Sequence, residues 1–97
     1  MGSISAQKAW RVLRNTQTVI AIELFCASQG MDFARTLNGR KPLKAGAGTE
    51  AAYQFVRKYI NYLNRDRVLY DDIQKALGLV LDGKILPEVE KRVGKLN

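Results

Sequence analysis

Histidine is missing from this 97-residue sequence altogether, and cysteine occurs once, as Cys26. A Ser-His-Asp or Cys-His catalytic arrangement therefore cannot be assembled within the chain, and a zinc site would have to rely on one thiol plus carboxylates. No catalytic residue, metal site or cofactor site is expected here. A lone cysteine cannot form an internal disulfide; on an apolar helical face it reads as a small buried hydrophobe in a reducing compartment. Paired carboxylates are equally scarce. Asp71 and Asp72 are neighbours, which on a helix sets them ~100° apart, so helix capping is a better use for them than sharing a substrate or an ion.

Long apolar runs are lacking too. The stretch from Val19 to Ala27 carries a single charge, Glu23, but it is less than half the roughly 20 residues that a membrane span needs. The opening MGSISAQKAW has no apolar core followed by a small-residue cleavage site. Ala6 also stands where the N-myristoylation pattern wants Ser or Thr. A cytoplasmic address with no membrane partner is the expectation. Two-residue hydrophobic alternation, internal repeats and low-complexity tracts are absent as well, which argues against a sheet.

What remains is an ordinary globular composition, 46% hydrophobic and 26% charged, so a disordered tail or a collagen-like segment is excluded. At this length one domain is the limit, and folding buries only roughly two-thirds of the surface that the open chain exposes. The core must be modest.

Helical periodicity dominates. Counting 100° per residue from Ile20, the residues Ala6, Ala9, Leu13, Thr16, Leu24, Ala27, Met31 and Ala34 fall within ~40° of it. A second stripe of Val12, Val19, Ile22, Cys26 and Phe33 lies on an adjacent face. Between residues 19 and 27 the helix is thus apolar nearly all round, as only a helix packed on several sides reads. Glu23, ~60° from the main stripe, is expected to be buried with an Arg or Lys partner, which another chain could supply.

The long helix is read over 3–36. A loop over 38–48 follows from NGRKPLKAGAG, which combines glycines, Pro42 and basic residues. Thr49 as N-cap and Glu50 in the first turn open a helix over 49–63, with Tyr53, Val56, Ile60 and Leu63 at helical spacing. Asp71 and Gln74 resemble a capping box for a helix over 71–82, which Gly83 ends with a left-handed stop. Pro87, early Glu88 and Glu90, and late Lys91, Arg92 and Lys95 suit a last helix over 87–95. The expected class is all-α, a helical-bundle fragment with one long helix and two or three shorter ones.

Sixteen Lys and Arg against nine Asp and Glu leave a formal charge of +7, which raises nucleic acid or an acidic protein as partner. Arg40, Lys41, Lys44, Arg57, Lys58, Arg65 and Arg67, near Tyr53, Tyr59 and Tyr62, would be the binding groups. The tyrosines also sit at core spacing, however, and no known nucleic-acid module fits, so a solvated surface is the simpler reading. KAGAGT over 44–49 places glycines before a helix N-terminus but lacks the preceding strand and the spacing of a phosphate loop, and reads as a flexible connection.

The run NTQTVIAIELFCASQGMDF, followed after a gap by DRVLYDDIQKALGLVLDGKILPEVE, resembles the C-terminal part of histidine ammonia-lyases in the aromatic amino acid lyase family. The order of parts carries the likeness: Ala21 to Phe33, the 38–48 loop, Gly48-Thr49, Asp66-Arg67-Val68-Leu69 through Asp72-Ile73, and Gly83 to Val89. Met1-Gly2-Ser3 resembles the Met-Gly that follows the family's QEDHVS segment, so the chain is expected to begin just past it.

This resemblance implies a parent enzyme that converts L-histidine to trans-urocanate and ammonia. The reaction would use a methylidene-imidazolone formed from an internal Ala-Ser-Gly. That tripeptide is absent, since Ala27-Ser28 is followed by Gln29, and the family's other catalytic groups would lie upstream. It also implies tetramers whose long helices share a central bundle. The expected role is therefore a scaffold and oligomerisation segment, catalytically incomplete alone. Its interface would run through Leu13, Ile20, Leu24 and Ala27, and its partners would be the remainder of the parent lyase and other copies of itself. The competing expectation is an independent basic helical module.

Overall fold

The computed structural model describes residues 2–37 and 44–96. Four helices follow one another: α1 Gly2–Leu37, α2 Ala47–Arg57, α3 Tyr70–Asp82 and α4 Ile85–Val93, with no strand among the described residues. The chain is all-α.

α1 runs 36 residues with no proline, about 54 Å at 1.5 Å per residue. It sets the long dimension of a flat molecule measuring 59 × 37 × 19 Å. The other elements cover only its second half. α3 packs along α1 and α4 packs along α2, and the two pairs meet in one core. Ala21 and Phe25 of α1, Phe55 and Val56 of α2, Ile60 just beyond it, and Ala76 and Leu79 of α3 form that core, with Leu24, Leu77, Val80 and Ile85 against its edge. The alanines are fully covered, Ala21 and Ala76 both at 0% exposure. Small side chains on both faces let the two helix backbones lie close, while Phe25 and Phe55 fill the space beside them. At the other end of α2, Ala51 and Val89 are buried, and Gly48 faces the Val89 side chain, leaving just the room that a Cβ would need.

The helix ends differ instructively from the sequence reading. α2 starts with Gly46 as N-cap and no side-chain cap, so Thr49 does not serve. The Glu50 N–H donates to the Gly46 carbonyl at 2.8 Å. Rather than continuing to 63, α2 stops at Arg57. The Lys58 N–H turns back to the Phe55 carbonyl at 3.2 Å, and the backbone of Leu63 is engaged by Gln29 of α1. A tertiary bond has replaced the helical one.

α3 begins after Leu69 and likewise has no side-chain cap, so Asp71 and Gln74 form no capping box. Asp71 and Asp72 stand in its first turn, where negative charge complements the helix dipole. The stop at Gly83 is left-handed, with φ 64°, as a glycine there allows. α4 then starts at Ile85, which places Pro87 in its first turn, where a missing N–H costs nothing.

Candidate assembly surface

The first fifteen described residues of α1 are left uncovered by the rest of the described chain: every residue from 2 to 16 is exposed. Trp10 is 60% exposed, Leu13 49% and Ile20 45%. Two apolar stripes remain uncovered on either side of the line of α1 that faces the core. One carries Leu13, Ile20 and Ala27; the other carries Val12, Val19, Ile22, Cys26 and Phe33, all exposed. Large contiguous apolar patches are uncommon on monomeric soluble proteins.

Leu24, the fourth residue of the expected interface, is half-buried against the core edge. With Ala27, Ser28 and Met31 it faces Thr49, Ala52, Tyr53 and Val56 of α2 across a small crevice of about 120 Å³. The first stripe therefore does not end on α1 but runs into the joint between α1 and α2.

One expectation about the segment from 19 to 27 is overturned within the chain: Cys26 is exposed rather than buried. Glu23 is also exposed and makes no ion pair among the described residues, so of the two sources expected for its partner, another chain is the one left. The reason is geometric: periodicity shows that the helix is apolar on several sides, yet only the side carrying Ala21, Phe25 and Ser28 meets its own chain.

The charges that the fold does pair are different ones, invisible to spacing. Asp32 accepts hydrogen bonds from Arg57, whose Nε donates to Oδ2 at 3.1 Å, and from the Tyr53 hydroxyl. Arg57 also donates to the Ile60 carbonyl at 3.1 Å and to Gln29 Oε1 at 3.3 Å. Arg35 pairs with Glu50 and lies 4.3 Å from the centre of the Tyr53 ring. Burial, then the hydrogen bond to Asp32, pushes the Tyr53 phenol above its ordinary value of 10.0. Arg67 ties the next segment down: its Nε donates to Asp72 Oδ2 at 2.9 Å, and its terminal nitrogens donate to the Tyr62 and Asn61 carbonyls at 3.1 and 2.9 Å. The hydrogen bond to Asp72 raises the Arg67 pKa further.

Of the groups considered for nucleic acid, Arg57 and Arg67 are thus engaged internally. The Tyr62 ring meets Phe33 edge-on at 6.2 Å and Tyr59 meets Phe55 at 5.4 Å. Lys44, Lys58 and Arg65 are exposed, and Arg40 and Lys41 lie outside the described residues. Among the described residues, no group of three or more Cys, Asp or Glu side chains could hold a metal ion. No described helix is long and apolar enough to cross a membrane.

Residues 1–58, which include α1 and α2, match the family model described as aromatic amino acid lyase. The chain belongs to the aromatic amino acid lyase family. Within that family it is similar to the histidine ammonia-lyase of Natranaerobius thermophilus, 43% identical over 96 residues, which is 99% of this chain and 18% of that protein. The corresponding figures are 42% identity for the histidine ammonia-lyase of Sorangium cellulosum, covering 100% of this chain and 18% of the relative. For that of Caldanaerobacter subterraneus subsp. tengcongensis they are 45% identity, 97% and 17%. The chain spans less than a fifth of the length of these curated relatives. No solved structure matches it.

The residues present do not fit the methylidene-imidazolone that the family resemblance implies. The nearest wording, Ala27-Ser28-Gln29, lies in the middle of α1. Ser28 is buried there, with its hydroxyl donating to the Leu24 carbonyl at 2.9 Å. A backbone locked in helical hydrogen bonds is not available to cyclise.

Proposed function

We propose that this chain is a C-terminal scaffold and oligomerisation segment of a histidine ammonia-lyase-like enzyme. The parent reaction would convert L-histidine to trans-urocanate and ammonia in the cytoplasm. The electrophile and the acid–base groups would come from the rest of the parent, leaving the isolated chain without activity. One observation carries the reading: α1 leaves two apolar stripes and its first fifteen described residues bare, in a chain that spans less than a fifth of its relatives. Burial of a Leu or Ile side chain is worth about 1.5–3 kcal/mol, so covering Leu13 and Ile20, together with Leu24 and Ala27 at the α1–α2 joint, supplies ample drive for assembly. The partners would be the remainder of the lyase and further copies of the chain.

Two measurements test it. Incubating the purified chain with L-histidine should give no urocanate absorbance; turnover would place catalytic groups inside these residues and sink the scaffold reading. Light scattering should find the isolated chain associated, and a monodisperse monomer across the accessible concentration range would count against the interface. Steep loss of DNA or RNA binding as salt rises would instead favour the independent basic module.

A further inference from the structure

The first stripe of α1 has an order that hydrophobicity alone does not demand. All within ~60° of Ile20, its members are Ala6, Ala9, Leu13 and Thr16, then Gln17, Ile20, Leu24 and Ala27. The steps between them run three, four, three on either side of the Thr16–Gln17 bond, so the stripe reads the same from both ends. Six of the eight are exposed, while Gln17 and Leu24 are half-buried. Turned end for end against a copy of itself, the stripe sets Ala6 against Ala27, Ala9 against Leu24, Leu13 against Ile20 and Thr16 against Gln17. That is the self-complementarity of an isologous two-fold contact.

Size and charge both favour this direction over the parallel one. Near Leu24 and Ala27 the stripe is crowded by α2, which forms with α1 the crevice of about 120 Å³. The antiparallel arrangement brings the small Ala6 and Ala9 there and lets the bulkier Leu13 and Ile20 meet in the open middle. The arm up to residue 16 carries Lys8, Arg11 and Arg14 and no acidic residue. Parallel copies would range these cations side by side, where they repel. Antiparallel copies lay each arm along the half of α1 that holds Glu23, exposed and without an ion pair among the described residues. Glu23 and Lys8 lie on the same side of the stripe, ~60° and ~120° from Ile20, and a two-fold axis keeps like sides together. Lys8 of one copy then stands ~3 Å along the helix from the level of Glu23 of the other, within the reach of a lysine. At the centre, Gln17 Oε1 is buried with no hydrogen-bond partner among the described residues, and a polar layer in an apolar seam fixes register.

We propose that α1 pairs with α1 of a second copy of this chain, antiparallel, about a two-fold axis passing between Thr16 and Gln17. Each arm lies across the mouth of the other copy's α1–α2 crevice, and two Glu23–Lys8 ion pairs flank the seam. The proposal rests on the scaffold reading and adds to it the partner surface, the direction and the register.

Cross-linking of the whole chain under mild oxidation, with Cys26→Ser as background, tests it. Thr16→Cys, beside the axis, should link to itself. Leu13→Cys alone and Ile20→Cys alone should not, because each has its own twin about 10 Å away along the helix, beyond the span of a disulfide; mixed, the two should join to each other. Glu23→Lys and Lys8→Glu should each weaken association in light scattering by roughly fivefold or more, and the double reversal should restore it. Every side chain altered is exposed, so the core stays intact in each variant. Self-linking of Leu13→Cys as readily as the mixture, no linking of Thr16→Cys in samples that associate, or a double reversal as weak as the single ones would overturn the pairing and leave the scaffold reading standing. Monomers at every concentration would sink both.

Discussion

Gln29 and Leu63 form a two-point clamp across 34 residues of sequence: the Gln29 amide nitrogen donates to the Leu63 carbonyl at 2.8 Å, and the Leu63 N–H donates to the Gln29 amide oxygen at 3.1 Å. One side chain thus does for Leu63 what a neighbouring helical turn would have done. Gln29→Ala should leave both backbone groups without partners and destabilise the chain by about 1–3 kcal/mol. Urea unfolding measures the loss, and faster hydrogen exchange at the Leu63 amide locates it.

Asp32 collects Arg57 and the Tyr53 hydroxyl on one carboxylate. Asp32→Ala should cost about 2 kcal/mol, less than the 3–5 of a fully buried pair because Asp32 retains some solvent contact. Arg57→Lys should recover little of the network, since an ammonium cannot reach Asp32, Gln29 and the Ile60 carbonyl together in the planar geometry that the guanidinium provides. Thermal unfolding of the three proteins orders them.

The phenol of Tyr53 titrates above its ordinary 10.0 in the folded chain, through burial and then through its bond to Asp32. Below pH 10 both folded and unfolded forms hold the proton and the contribution is complete. Above it the unfolded chain releases its proton first, so stability falls as pH rises toward the folded value. Tyr53→Phe should flatten that alkaline slope in a pH series of denaturant midpoints; an unchanged slope would remove Tyr53 as its cause.

Ile20→Asp and Leu13→Asp put charge on the exposed stripe and leave the core untouched, so stability should stay within about 0.5 kcal/mol while association in light scattering declines. Phe25→Ala is the contrasting case, a buried aromatic whose loss should cost about 3–5 kcal/mol.

Cys26 is exposed on the second stripe. Its thiol should react readily with a maleimide in dilute solution and more slowly as concentration rises and that stripe is covered. A rate independent of concentration would show that the second stripe stays open in the assembly.

The class of this fold and the extent of α1 were readable because a 3.6-residue period sustained over 30 or more positions has only one regular structure to match. The two outward stripes were readable for the same reason. Which side of α1 the chain itself covers was not, because periodicity ranks faces by hydrophobicity and not by neighbour. Cys26 and Glu23 were consequently read as buried. The end of α2 escaped because Tyr53, Val56, Ile60 and Leu63 keep helical spacing past Arg57, and the bonds that unwind the segment come from Gln29, far away in sequence. The Arg67–Asp72 pair, five residues apart across a loop and a helix start, has no spacing rule to announce it. The approach of Asp32 to Tyr53 and Arg57 likewise requires the two helices to be docked.

The bare arm of α1 has a further consequence for how the molecule behaves in dilution. Residues 2–16 are exposed throughout, and a helix of about fifteen residues with little packed against it sits near the coil boundary in water. Winding of that arm and its docking are then one coupled event: the far-ultraviolet dichroism of the chain becomes a gauge of its company, weaker when molecules are alone and stronger when they meet.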